Sequence, residues 1–346
     1  MTRWMMAMLA SLALLAALVA SLLYRPSADS NPARAGHEPL VVYCAASNKS
    51  VMEAIRADYE LVYKAPLHIH YGPSQTLLAS AEVSGVGDLY LPADSSYLDA
   101  ARGRNLVAEE IPLAQMHAVV VVSKGNPKQI ARLNDLLQPG LRVAQGSFEG
   151  TAIGKLTRDA LTASGQWDAL HQATTVYKTT VTEVANDVKV GAVDAGIVFD
   201  VVLRDYPALE AVELPELAPI RANVAVGVLK SSARPRQALH LARYLAARDR
   251  GLVRYREFGF QPVDGDVWSE QPEVTLYAGS MLRPAIEQTI SAFEEREGVR
   301  VIRVYNGCGI LVAEMKTGER TDAFFACDRE FMGQVEIGRA SCRERV

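Results

Sequence analysis

Residues 40–48 read Leu40-Val41-Val42-Tyr43-Cys44-Ala45-Ala46-Ser47-Asn48, an apolar run of strand length that passes directly into small and hydroxyl-bearing residues. Val51, Met52, Ile55, Tyr59 and Val62 then recur at helical spacing, so the stretch predicts strand, short loop, helix. The order repeats at once. Leu67-His68-Ile69-His70-Tyr71 alternates as a strand does, Gly72-Pro73-Ser74-Gln75 opens a helix reaching about Val83, and Leu89-Tyr90-Leu91 is a third strand. Strands alternating with helices imply a parallel sheet covered by helices, and such sheets bind ligands at the carboxyl ends of their strands. The loops that follow strands are therefore the places to look for function.

Four of those loops share a character. Ala45-Ala46-Ser47-Asn48 and Gly72-Pro73-Ser74-Gln75 are two of them. Gln145-Gly146-Ser147-Phe148-Glu149-Gly150-Thr151, ahead of a helix beginning near Ala152, is the third, and Thr179-Thr180-Val181, leading into a helix over Glu183 to Val190, is the fourth. Helix starts expose unpaired N–H groups carrying partial positive charge, and a Ser or Thr there adds a hydroxyl donor. Several aimed at one point can hold an anion without Lys or Arg. Taken singly, Ser47 and Ser74 read equally well as ordinary N-caps; four such loops in one topological set point to a shared site.

Further along, His117-Ala118-Val119-Val120-Val121-Val122 and Asn223-Val224-Ala225-Val226-Gly227-Val228-Leu229 are two continuous apolar strands. A complete α/β unit ending in Ala195-Gly196-Ile197-Val198-Phe199 lies between them. The expected fold is α/β and two-lobed, with a ligand cleft between the lobes and two crossover strands as the hinge.

At these positions the chain resembles the periplasmic molybdate-binding proteins of ABC importers, a group of type II solute-binding proteins. The resemblance is carried by Tyr43-Cys44-Ala45-Ala46-Ser47, Gly72-Pro73-Ser74-Gln75-Thr76-Leu77, Gly87-Asp88-Leu89-Tyr90-Leu91-Pro92-Ala93-Asp94, Gly191 through Phe199, and Phe258-Gly259-Phe260. It covers about residues 40–263. It implies a periplasmic-binding-protein-like fold and no catalysis. The ligand would be a small oxyanion, molybdate or tungstate first and another small oxyanion as an open alternative, delivered to an inner-membrane ABC permease. The implied anion donors are the hydroxyls of Ser47 and Ser74 and the backbone N–H groups of Ile153 and Val181. Phe199 falls where the family usually has a tyrosine whose hydroxyl completes the shell, and phenylalanine cannot donate. Thr151, Thr180 or water would have to substitute. No cofactor and no protein-ligated cation are implied. A membrane-anchored sensor and an enzyme on the same fold are the rival readings, and the enzyme is disfavoured by the lack of an acid/base set.

The stretch from Val41 to Ala101 reappears from Thr275 to Val335 at a constant offset that pairs Tyr43 with Tyr277, Glu60 with Glu294, Asp88 with Asp322 and Asp94 with Asp328. A period this long marks a duplicated domain rather than a solenoid. The expected organisation is a complete solute-binding domain over 40–265 and a truncated second copy over 272–335. In that second copy Ser47, Ser74 and Ala93 become Met281, Cys308 and Cys327, although Ser280 could shift into the role of Ser47, so its cleft should not bind the same solute in the same way. Cys308 and Cys327 fall in two post-strand loops separated by one intervening strand. They would have to lean inward to meet, as a disulfide or as a soft-metal or redox site.

At the ends, Trp4 to Leu23 is free of charge and long enough to be a signal peptide or a membrane anchor, giving 1–25 that role and 26–39 the role of a tether. Either way the chain is exported, to the periplasm or another extracytoplasmic location. Residues 336–346 break the repeat and look like a sequencing-library adapter read in frame. With 22% charged residues and a net charge of -4, nothing is basic enough for nucleic acid. Gly150 to Thr157 mimics a phosphate-binding loop but has its glycines one residue too close and Leu156 after Lys155. His68 and His70 share a strand face as metal ligands do, yet their counterparts are Ile302 and Val304.

Overall fold

The computed structural model describes residues 38–336. The apolar segment Trp4 to Leu23, nearly all of the tether and residues 337–346 lie outside them. Among the described residues no helix is long and apolar enough to cross a membrane.

The opening stretch forms as its pattern predicts. β1 (Leu40–Ala45) is buried along nearly its whole length, and α1 (Lys49–Tyr63) buries Val51, Met52, Ile55 and Tyr59 on one face before ending at left-handed Lys64. β2 (Leu67–Gly72), α2 (Ser74–Ser84), β3 (Leu89–Leu91) and α3 (Ser96–Gly103) complete a unit in which β1 pairs in parallel with both β2 and β3. β4 (Val107–Ser123) then begins a second unit of β5 (Val143–Gly146), α4 (Ala152–Ala163), α5 (Trp167–Ala173), β6 (Thr174–Lys178), α6 (Val181–Lys189), β7 (Ala195–Phe199) and β8 (Leu209–Val212). β9 (Arg221–Leu229) returns to the first unit, which α7 (Pro235–Ala246), α8 (Gly251–Glu257) and β10 (Gln261–Pro262) close. The strand order is β2-β1-β3-β9-β4-β7-β5-β6, with β8 and β10 also paired to β4. One continuous core runs through this body from Leu40 to Phe260.

The two crossover strands are β4 and β9, and β4 is much longer than its apolar run at 117–122. Residues 107 to 117 pair antiparallel with β9, and Ala118 to Val122 pair with β7. Glu109, Glu110 and Pro112 hide the first half of the strand from a pattern search. Proline lacks the N–H a ladder needs and is tolerated where pairing is irregular, and the β4–β9 register shifts between Pro112 and Ala114.

A separate three-stranded sheet follows, built from β11 (Glu273–Gly279), α9 (Arg283–Glu297), β12 (Arg300–Asn306), α10 (Cys308–Thr317), β13 (Ala323–Phe325) and α11 (Arg329–Glu336), in the order β12-β11-β13. Its geometry matches that of β2-β1-β3 pair for pair. Leu40 faces Leu67 and Val274 faces Val301; Val42 faces Leu89 and Leu276 faces Ala323. The polar ties correspond too. The Val41 N–H donates to Asp88 Oδ2 at 2.8 Å and the Thr275 N–H to Asp322 Oδ2 at 2.8 Å. The Leu67 N–H donates to Glu60 Oε1 at 2.8 Å and the Val301 N–H to Glu294 Oε1 at 2.7 Å. Its core is split into two small clusters, one around Leu311, Val312 and Met315 and one around Ile290, Val299 and Val301, while Phe293 and Phe325 are left exposed.

Candidate functional site

The five residues singled out by sequence line one cavity. Ser47, Ser74, Ile153, Val181 and Phe199 surround it with Ala45, Ala46, Gly72, Pro73, Ala93, Thr151, Ala152, Thr179 and Thr180, and the space they enclose is about 20 Å³. That is room for one small ion or a water or two, not for a sugar or peptide. No charged side chain lines it.

Each donor is placed by a helix start. Ser47 sits in the single 3-10 turn, Ala46–Asn48, that joins β1 to α1. It caps nothing: its Oγ is buried and has no hydrogen-bond partner among the described residues. Ser74 is the first residue of α2, and its Oγ accepts the Ala93 N–H at 3.1 Å while its own proton is given to no described group. Tyr90 Oη anchors the same turn by donating to the Ser74 carbonyl at 2.8 Å. The ordinary capping role therefore fails for both serines.

The second lobe contributes backbone. Thr151 caps α4, accepting the Gly154 N–H at 3.1 Å, and donates its own hydroxyl to the Ser147 carbonyl at 2.8 Å. Thr180 caps α6, accepting the Glu183 N–H at 3.2 Å and sharing a hydrogen bond with Thr182 Oγ1. The N–H groups of Ile153 and Val181 lie in the first turns of these helices, where no intrahelical carbonyl is available, and no other described group accepts them. Gly154 makes this turn possible, since a Cβ there would stand 2.4 Å from the Gly146 carbonyl oxygen and 2.5 Å from that of Ser147. Thr151 donates elsewhere, so it does not supply the hydroxyl that Phe199 lacks. Phe199, 1% exposed at the end of β7, gives that wall an apolar ring.

The lobes touch around the cavity. The Gln75 N–H donates to the Gly150 carbonyl at 3.4 Å, Lys155 Nζ donates to Ser96 Oγ at 3.1 Å, and Ser50 Oγ donates to Asp205. Each joins an element of the first lobe to one of the second. At the hinge, Asp200 takes the His117 N–H at 3.0 Å and meets His117 Nδ1 at 2.9 Å; burial raises its carboxyl above the usual range.

The residues set aside by sequence have structural partners. Asp94 accepts the N–H groups of Ser96 and Asn223, both at 3.0 Å, tying α3 to β9. His70 stacks on Tyr43 with ring centroids 5.4 Å apart. Among the described residues no group of three or more His, Cys, Asp or Glu could hold a metal ion. Sequence reasoning gave no site role to Ala45 and Ala93, which line the cavity with small side chains, because an alanine advertises no chemistry.

The sequence pattern of the bacterial extracellular solute-binding proteins matches residues 40–261. The molybdate-binding protein ModA of Mycobacterium tuberculosis is 28% identical over 230 residues, covering 66% of this chain and 86% of that protein. Among solved structures, the substrate-binding domain of a putative molybdenum ABC transporter from Clostridium difficile aligns with a TM-score of 0.51 at 24% identity, covering 65% of this chain and 99% of that one. The periplasmic molybdate-binding protein of Azotobacter vinelandii aligns with a TM-score of 0.57 at 16% identity, covering 65% and 100%. These two likenesses establish the two-lobed periplasmic-binding-protein fold.

Proposed function

The chain belongs to the bacterial extracellular solute-binding protein family, whose members bind substrates rather than convert them, and we propose on that footing that its cleft captures a small tetrahedral oxyanion, molybdate or tungstate foremost. The solute would be held by the hydroxyls of Ser47 and Ser74 and the N–H groups of Ile153 and Val181, then presented to an ABC permease. The observation that carries this reading is the set of free donors around an uncharged cavity of about 20 Å³, above all the buried, partnerless Ser47 hydroxyl. A buried polar group without a partner costs on the order of 1–3 kcal/mol, and a ligand that accepts its proton recovers that cost.

Charge neutrality follows from the same chemistry. Partial positive charge at several helix starts favours an anion without placing a full counter-charge beside it, so the ligand stays mobile enough to be released. Donors from both lobes converge only when the lobes are together, which couples binding to hinge closure. The ModA likeness supports molybdenum-type oxyanions over other solutes. The N-terminal segment would send the protein to the periplasm or another extracytoplasmic location as a cleaved leader, and would hold it to the inner membrane only as an uncleaved anchor. Residues 272–335 we read as a second copy of the opening part of the first unit, a reading supported by the matched strand registers.

Calorimetric titration of residues 38–265 with molybdate, tungstate, sulfate and phosphate tests the proposal. Molybdate and tungstate should bind at least a hundredfold more tightly than phosphate. Equal affinity for all four, or none for any, would overturn it.

A further inference from the structure

The second sheet carries a rebuilt version of the same corner, and the rebuilding runs in one chemical direction. At the positions of Ser47, Ser74 and Ala93 stand Met281, Cys308 and Cys327, so two hydroxyls and a methyl are replaced by three sulfurs. The framework around them is kept. The Cys327 N–H donates to Cys308 Sγ at 3.2 Å, the counterpart of the Ala93 N–H on Ser74 Oγ at 3.1 Å, with sulfur taking the place of oxygen.

A fourth change makes room for the sulfurs. Gly279 stands where the first copy has Ala45, and a Cβ built on it would lie 2.2 Å from Cys327 Sγ and 2.8 Å from Cys308 Sγ. Both thiols therefore crowd the single point from which that methyl has been removed. Leaning inward across β11 is what the two loops had to do to meet, and they do so. Cys308 begins α10 and is buried, while Cys327 is exposed, so the pair is reachable from one side. Met281, 85% exposed, lies in the turn that follows β11, two residues beyond Gly279.

We propose that Cys308 and Cys327, with Met281 as a third donor, form a binding site for a soft, thiophilic metal ion of the Cu(I) type. Thiolate and thioether ligands select such ions over hard cations and oxyanions. Each thiol that becomes a ligand releases its proton. A structural disulfide would account for the cysteines and the glycine but leaves the thioether in place of Ser47 without a purpose.

The test is a titration of the reduced full-length chain with Cu(I), without oxygen, against bicinchoninate as coloured competitor. Cys342, outside the described residues, is replaced by serine throughout so that copper held there does not count. One equivalent of Cu(I) should leave the competitor. Cys308→Ser and Cys327→Ala, which restore the first copy's residues, should each weaken binding at least a hundredfold, and Met281→Leu about tenfold. Molybdate affinity should stay the same in all three, so failure here is separable from failure of the oxyanion reading. Equal copper uptake by the parent and the double cysteine variant would overturn the proposal. So would a chain isolated with the pair already joined as a disulfide whose reduced form withdraws no copper.

Discussion

Replacing Ser47 by alanine separates binding from folding more cleanly than any other change at this site. In the ligand-free protein its buried Oγ satisfies nothing and is satisfied by nothing among the described residues. Removing it deletes a desolvated hydroxyl without orphaning a partner. Apo stability should therefore be unchanged or higher, by up to about 1 kcal/mol, which for a domain of this size is roughly 2–4 °C in Tm. Affinity for molybdate should fall, because a hydrogen bond to a charged group contributes about 1.5–3 kcal/mol, or roughly ten- to a hundredfold in Kd. Thermal melts without ligand and calorimetry with molybdate measure the two halves. Loss of several degrees in the apo melt, or a Kd within twofold of the parent, would refute the assignment of Ser47 as a free donor.

Ser74→Ala should behave differently, losing both affinity and about 1–2 kcal/mol of apo stability, since the buried Ala93 N–H is left without its acceptor; the same two assays apply. Phe199→Tyr restores a hydroxyl at the cavity wall and should tighten molybdate binding severalfold by calorimetry, whereas unchanged or weaker binding would point to a pocket shaped for another solute. The guanidinium of Arg142, bonded to Asp194 at 3.0 Å, holds that carboxyl below its usual range. The pair's stabilisation is thus complete above pH about 4 and fades as pH falls further; Arg142→Gln should lower Tm at neutral pH and flatten the acid limb of a Tm-against-pH series. Limited proteolysis should cut within residues 273–336 well before 40–262, because the second sheet's core is split and Phe293 and Phe325 are uncovered; equal resistance would count against a weakly packed second sheet.

The residues that line the cavity were legible because they sit at the starts of helices. Ser47, Ser74, Ile153 and Val181 follow strands in sequence, and a parallel sheet must bring such positions to one edge. What the letters do not carry is which hydrogen bonds are already spent. Thr151 and Ser47 look alike as candidate donors, yet one gives its proton to the Ser147 carbonyl and the other to no described group. The first half of β4 was hidden for a related reason: Glu109, Glu110 and Pro112 break the apolar run, and only pairing with β9 makes that stretch a strand. The meeting of Cys308 and Cys327 depended on Gly279, whose contribution is an absent methyl.

β4 changes partners at a single point, from Arg221 of β9 opposite His117 to Phe199 of β7 opposite Ala118. The change of partner falls at the His117–Ala118 peptide bond, and the residue beside it on β7 is a wall of the cavity. A lever pivoted next to its own load needs no transmission. On the proposed closure, a solute against Phe199 would act within one strand spacing of the point where β4 changes partners, so small adjustments there would become larger displacements at the far rims, the surfaces that a permease would read.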